Sequence, residues 1–328
     1  MSVWDEKHPK PAGNQVGEPH EIAVINWFKQ QSAKQIEPLR QPKSKADLRE
    51  TREVLGGALD VMIGRTLPKK GESIFASRSE EDKGEYRLQR GSASYGRDTV
   101  QATFVYPKKW NREVVLWLTL KAESFIQPDG SLSEAAKNLL DRGYALACPQ
   151  LYLPGATQNP NVYAPGSRRS GGTYEGFSGY HYGYNPSLFG ERVRDALTMI
   201  GQIRDDKMHP VRRILVGGVE GAGVIAAAAV ALAPNAVQQL ACDTGGFRFA
   251  KLNDVWDANF VPGAEKYGDV PALLSLCAPV KTTVLGESPD SANGVAAAFA
   301  AAKGNVKFVS AANSNPTDTV ALALTGGK

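Results

Sequence analysis

At 328 residues the chain has room for one large domain or two modest ones, and its 42% apolar and 22% charged residues are ordinary for a globular protein. A formal net charge of +4, with both signs interleaved in stretches such as Lys43 to Arg52 and Arg78 to Lys83, gives no basic footprint, so no nucleic-acid partner is expected. The longest apolar run, Val224 to Ala233, is too short and too alanine-rich to span a bilayer, so no membrane partner is expected either.

Met1 to Pro11 is polar and lacks the apolar core of a signal peptide. As it stands the chain reads as soluble, and export would need a longer precursor. Residues 1–17 form a polar, Pro/Gly-rich arm. A helix follows over Glu18 to Ile36, with Ile22, Ile25 and Phe28 at helical spacing, Pro19 in its first turn and Pro38 ending it. Lys45 to Ile63 is a second amphipathic helix, weakened in the middle by Gly56–Gly57 at roughly 1 kcal/mol per glycine. Residues 1–66 are therefore read as an arm and helix pair appended to a larger domain, 67–328.

From Glu85 the period changes. Glu85 to Ser92 and Thr99 to Tyr106 are strand-like, and Glu113 to Leu120 is an apolar run fit for a strand buried on both faces. Then helices and strands alternate. The helices are Leu132 to Arg142, Pro186 to Arg204, Gly221 to Leu232, Ser291 to Ala302 and a last one from Asp318. The strands are Tyr144 to Cys148, Arg212 to Val216, Val237 to Cys242, Lys281 to Leu285 and Val306 to Val309. Such alternation predicts right-handed crossovers and an α/β fold with a mostly parallel central sheet flanked by helices. Two antiparallel-looking strands leading into it favour the α/β-hydrolase plan over a Rossmann plan. Cys148, Cys242 and Cys277 sit in or beside apolar runs without a CxxC spacing, so they read as buried thiols, and neither a metal nor a cofactor is expected.

The most informative segment is Arg212 to Val230, where an apolar strand runs through a glycine cluster into a helix of small residues. In α/β-hydrolases this strand–turn–helix carries G-x-S-x-G, the nucleophile elbow. Here it reads Gly218-Val219-Glu220-Gly221-Ala222-Gly223, so Glu220 stands at the serine position. Three readings compete. The glycines serve a dinucleotide, although no register gives G-x-G-x-x-G; or Glu220 is a carboxylate nucleophile; or the elbow only shapes the fold.

A working elbow needs a proton carrier. Of His8, His20, His181 and His209, only His181 lies in a loop that could reach the turn; His209 precedes a strand at the wrong end of the sheet. The loop after the last strand, Ser310 to Pro316, has no histidine. Asp290, in Leu285-Gly286-Glu287-Ser288-Pro289-Asp290, takes the triad-acid position after the penultimate strand, and Asp243 is a second candidate at the end of the strand after the elbow. The loop after the first buried strand, Thr119-Leu120-Lys121-Ala122-Glu123, has no oxyanion signature. An imidazole, or a hydroxyl–amine pair over the turn, would restore chemistry to the site.

The runs TYEGFSGYHYGYNPSLFGERVRDAL, RRILVGGVEGAGV and ACDTGGFRF, with the opening DEKHPKP and the helix end GGALDVMIGR, resemble the second, C-terminal hydrolase-like domain of large bacterial proteins of the acetyl xylan esterase type, relatives of dienelactone hydrolases. The resemblance implies an α/β-hydrolase fold and, in active members, deacetylation of plant polysaccharide by a Ser/His/Asp triad. Residue by residue the serine falls on Glu220, the acid on Asp290 or Asp243, and the histidine on the 311–315 loop, where nothing matches. The expectation is a domain with a degenerate triad that supports a companion esterase domain or binds acetylated plant polysaccharide or another ligand. The alternatives are a carboxylic-ester hydrolase with a rearranged site built on Glu220, Asp243, Asp290 and His181, and a protein-interaction module. Pro154 to Tyr184, rich in tyrosine and glycine and carrying Arg168 and Arg169, reads as a sugar- or aromatic-binding lid or as a packed loop covering the sheet.

Overall fold

The computed structural model describes residues 20–121, 125–127, 131–153, 182–310 and 315–326, the side chains of His20 and Glu21 excepted. A nine-stranded sheet runs through them in the order β1-β2-β3-β5-β4-β6-β7-β8-β9. Strands β1 (Ile74–Asp82), β2 (Tyr86–Tyr95) and β3 (Asp98–Pro107) pair antiparallel, and β3 pairs antiparallel with β5 (Ala145–Pro149). From β5 onward every pairing is parallel, through β4 (Glu113–Leu118), β6 (Arg213–Gly218), β7 (Gln239–Asp243), β8 (Lys281–Leu285) and β9 (Val306–Val309).

The buried run in β4 shows why the sheet has two apolar faces. Val114, Leu116 and Leu118 enter one core and Val115 and Trp117 the other, as the two-residue period of a strand requires. The first core is covered by α5 (Leu188–Asp205), α6 (Gly223–Leu232), α7 (Asp269–Leu276) and α8 (Val295–Ala301); the second by α4 (Glu134–Asp141) and α9 (Pro316–Leu324). Cys148, Cys242 and Cys277 are buried thiols, and burial pushes the Cys242 thiol up to about 12.

The N-terminal helices depart from expectation in two places. Helix α1 (His20–Arg40) continues through Pro38, which sits exposed in its last turn, where one lost backbone bond is tolerable. Its apolar residues Ile22, Ile25, Trp27 and Phe28 stay 44–60% exposed, while Ile36 is buried against the body. The second predicted helix is a continuous helical run, α2 (Lys45–Thr51) and α3 (Gly57–Ile63), joined by one π turn over Arg52–Gly56 that ends at the glycine pair. Ser44 and Asp47 close a capping box at its start. Leu55, Leu59 and Ile63 share one core with the helices on that face of the sheet.

Candidate active site

Strand β6 delivers the chain to a tight turn. Glu220 adopts φ 51 and Gly221 φ 90 before α6 begins at Gly223. A glutamate in the left-handed region is strained by roughly 1–2 kcal/mol, the geometry that lifts an elbow side chain above a sheet. The small residues are there to let α6 come close. A Cβ on Gly218 would stand 2.6 Å from that of Ala226, and one on Gly223 only 1.8 Å from the Asp243 carbonyl oxygen.

The carboxylate raised by this turn is not free. Thr119 Oγ1 donates to Glu220 Oε2 at 2.8 Å and Lys121 Nζ donates to Oε1 at 2.8 Å, both from the loop that leaves β4. The Lys121 backbone N–H donates in turn to Thr119 Oγ1 at 3.0 Å. The hydrogen bond to Glu220, and then its charge, raise the Lys121 ammonium above its usual value, so the amine carries no lone pair near neutral pH and cannot take a proton. A hydroxyl and an amine do stand over the turn, but both point at the carboxylate. Their ion pair is largely exposed on the lysine side, 68% against 21% for Glu220, and such pairs stabilise by less than about 1 kcal/mol.

An oxyanion hole needs unused N–H groups facing developing negative charge. In the β4 loop the Lys121 amide is engaged by Thr119, and a fixed carboxylate beside it would repel an oxyanion. As a nucleophile, Glu220 would work through a carboxylate already accepting two hydrogen bonds.

Of the other sequence candidates, Asp290 lies exposed on the turn before α8. Asp243, half-buried at the end of β7, accepts from the Gly245 N–H at 2.9 Å. Its backbone abuts Gly223, which brings it to the foot of the elbow. The acid held at the end of β8 is Glu287, which the sequence reading passed over. Its side chain is fully buried, with Arg248 Nη1 and Nη2 donating at 2.6 and 2.7 Å, Ser291 Oγ at 2.5 Å and Thr244 Oγ1 at 3.0 Å. Burial would raise this carboxyl, but the hydrogen bonds from Arg248, Ser291 and Thr244 outweigh it and hold it below its usual value. A carboxylate so enclosed is committed to the loop that carries it. Arg248 in FRF was the signal available, but nothing in sequence links positions 39 residues apart.

His181, the 311–314 loop and most of the tyrosine-rich segment lie outside the described residues. His209 lies before β6, at the far end from the elbow, stacked on Tyr106 at 4.8 Å between Arg87 and Asp206. Among the described residues no group of His, Cys, Asp and Glu is placed to hold a metal.

Beside Thr119 and Lys121 opens a cavity of about 520 Å³, walled by β3 and β5 and reaching β1 and β2. Phe125, Leu151 and Cys148 give it an apolar side; Gln101, Gln150 and Arg78 give it polar ones. It lies at the carboxyl ends of the parallel strands, where sheets of this kind bind ligands. Just beyond the lining residue Leu151 the chain passes through Leu153, at φ 45, and is clamped from α5: Asp195 Oδ2 accepts from the Tyr152 N–H at 2.7 Å, while Arg192 donates to the carbonyls of Tyr152 and Leu153. Burial pushes the Asp195 carboxyl up to about 6 against the opposing pull of Arg194. A raised carboxyl favours folding when protonated, so the Asp195 contribution is complete below about pH 4 and lost as pH rises through 6. Carboxyl NMR is expected to show an aspartate midpoint near pH 6 that vanishes in Asp195→Asn; a midpoint near 4 would contradict it.

No family profile and no curated protein sequence matches the chain. Solved structures do. A protein of Bacteroides fragilis provisionally described as an acetyl xylan esterase superposes with TM-score 0.63 at 15% identity, over 91% of this chain and 84% of that one. A CE15 glucuronoyl esterase from Teredinibacter turnerae gives 0.56 at 16%, over 91% and 90%. A promiscuous CE15 esterase from a marine bacterial metagenome gives 0.54 at 11%, over 83% and 90%. The fold is that of an α/β-hydrolase. In hydrolases of that fold a strand–turn–helix of this form carries the nucleophile elbow; here the turn between β6 and α6 presents Glu220.

Proposed function

We propose that this chain is an esterase-type α/β-hydrolase domain that no longer performs acyl transfer at its elbow and instead binds a ligand in the cavity beside Glu220. The observation that carries this reading is the carboxylate of Glu220, held by Thr119 and Lys121 where a nucleophile would stand. The esterase structures it resembles, acetyl xylan and glucuronoyl esterases among them, make carbohydrate a reasonable ligand class. A supporting role beside a companion esterase domain is compatible with the same chemistry.

A second reading, a carboxylic-ester hydrolase with a rearranged site, draws on one feature: Thr119 Oγ1 donates to a carboxylate, as a nucleophile does to its base. Two assays separate the readings. Under the first, the protein turns over neither p-nitrophenyl acetate nor acetylated xylan above background and takes no label from a fluorophosphonate. Glu220→Ser also stays silent, because a serine without a positioned base is not activated. Wild-type turnover that disappears in Glu220→Ala or Thr119→Val would establish the second reading and overturn the first.

A further inference from the structure

We infer that the cavity beside Glu220 recognises a negatively charged group, carboxylate or phosphate, on a small organic ligand, and that Arg78 is the residue that selects it. This rests on the ligand-binding reading above and adds the charge of the ligand.

The first observation is the register of β1. Ser77 pairs with Gly91 and Ser79 with Arg90, so Arg78 is the extra residue of a β-bulge. A bulge leaves its residue outside the ladder and re-aims the side chain, and bulges gather beside binding sites. Arg78 borders the cavity with Ser79, Arg90 and Gly91.

The second observation is the charge of the wall. Its charged members among the described residues are Arg78, Arg90 and Lys121, all cations. Arg90 is matched by Glu81 at 2.8 Å and Lys121 by Glu220 at 2.8 Å. Arg78, exposed on the edge strand, has no ion-pair partner among the described residues. Among the described residues, then, Arg78 is the one cation of the wall without a carboxylate partner, and its planar fork suits two oxygens of a carboxylate or phosphate. The glutamines and the apolar wall remain for the body of the ligand, and the volume exceeds that of one sugar ring.

Calorimetric titration of the whole chain with galactose, galacturonate and galactose 1-phosphate tests this, since the three share a body and differ in charge. A charged sugar is expected to bind at least about tenfold tighter than galactose, to weaken as NaCl is raised, and to lose about tenfold in Arg78→Gln while Arg78→Lys keeps part of it. The better of the two charged sugars identifies carboxylate or phosphate as the preferred group. Galactose binding as tightly as both charged sugars, charged-sugar binding untouched in Arg78→Gln, or no binding by any of the three would overturn the inference. Failure of the underlying reading appears elsewhere, as Glu220-dependent ester turnover. Arg78 belongs to no buried network, so a folded Arg78→Gln protein is expected and is checked by its melting curve.

Discussion

Gly223→Ala is expected to destabilise the protein by about 3 kcal/mol or more, or to leave it insoluble. The new methyl would stand 1.8 Å from the Asp243 carbonyl oxygen and 2.4 Å from its carbonyl carbon. Neither partner can yield cheaply, since Asp243 ends β7 and Gly223 opens α6, an apolar helix buried from Gly223 to Val230. Relief would have to come from moving α6 off the sheet, which would open the core between them. Urea denaturation measures the loss. Gly57→Ala is the control: its φ is −61, nothing lies within 4 Å of where a Cβ would stand, and the change should stabilise by about 0.5–1 kcal/mol. Equal midpoints for Gly223→Ala and wild type would mean that α6 does not approach β7 as closely as described.

The second large effect is expected at Glu287. Glu287→Ala would leave Arg248, itself only 17% exposed, facing an empty space, and removing one partner of a buried pair costs about 3–5 kcal/mol. The cost comes from the stranded charge more than from the lost attraction. A double substitution, Glu287→Leu with Arg248→Met, should therefore recover much of the stability that Glu287→Ala loses. The same residue sets an acid limit. Its folded carboxyl titrates below the ordinary value of 4.5, so its contribution is complete above about pH 4.5 and is lost as pH falls through the lower folded value. Glu287→Gln should flatten the acid side of the stability profile; an unchanged slope would remove Glu287 from the account.

Much of the architecture could be read from the residues, and the exceptions share physical causes. Buried parallel strands announce themselves: Lys281–Leu285 falls where its apolar run places it, and the half-exposed edge strand Val306–Val309 also lies where expected. Strand β1 was invisible because Ile74–Asp82 is an edge strand, and the charges in Arg78, Glu80, Glu81 and Asp82 that protect an edge from pairing also erase the alternation that marks a strand. Helix α7 hid for the opposite reason. Its sequence DVPALLSL is apolar on nearly every side, has Pro271 in its first turn and shows no helical period because it is buried throughout. The elbow was legible as strand, glycines and small-residue helix. Its lock was not, since Lys121 and Glu220 lie 99 residues apart and meet only after β4 and β6 pair side by side. The loop after β8 was legible only in part: Asp290 was singled out by its spacing, whereas the carboxylate that the fold buries and pairs is Glu287, three residues earlier, and Asp290 stands in water.

The way α2 and α3 meet the body has a practical consequence. Leu55, Leu59 and Ile63 are 1–6% exposed and lie against Leu273 and Leu276 of α7 and Phe189 of α5, and Arg52 reaches the Ala278 carbonyl at 2.6 Å. A version of the protein starting at residue 67 would emerge with that greasy flank wet and sticky. Any binding lost on trimming would then report a damaged scaffold before it reported a missing contact, and point changes such as Phe28→Ser on the outward side of α1 are the cleaner tool for finding partners.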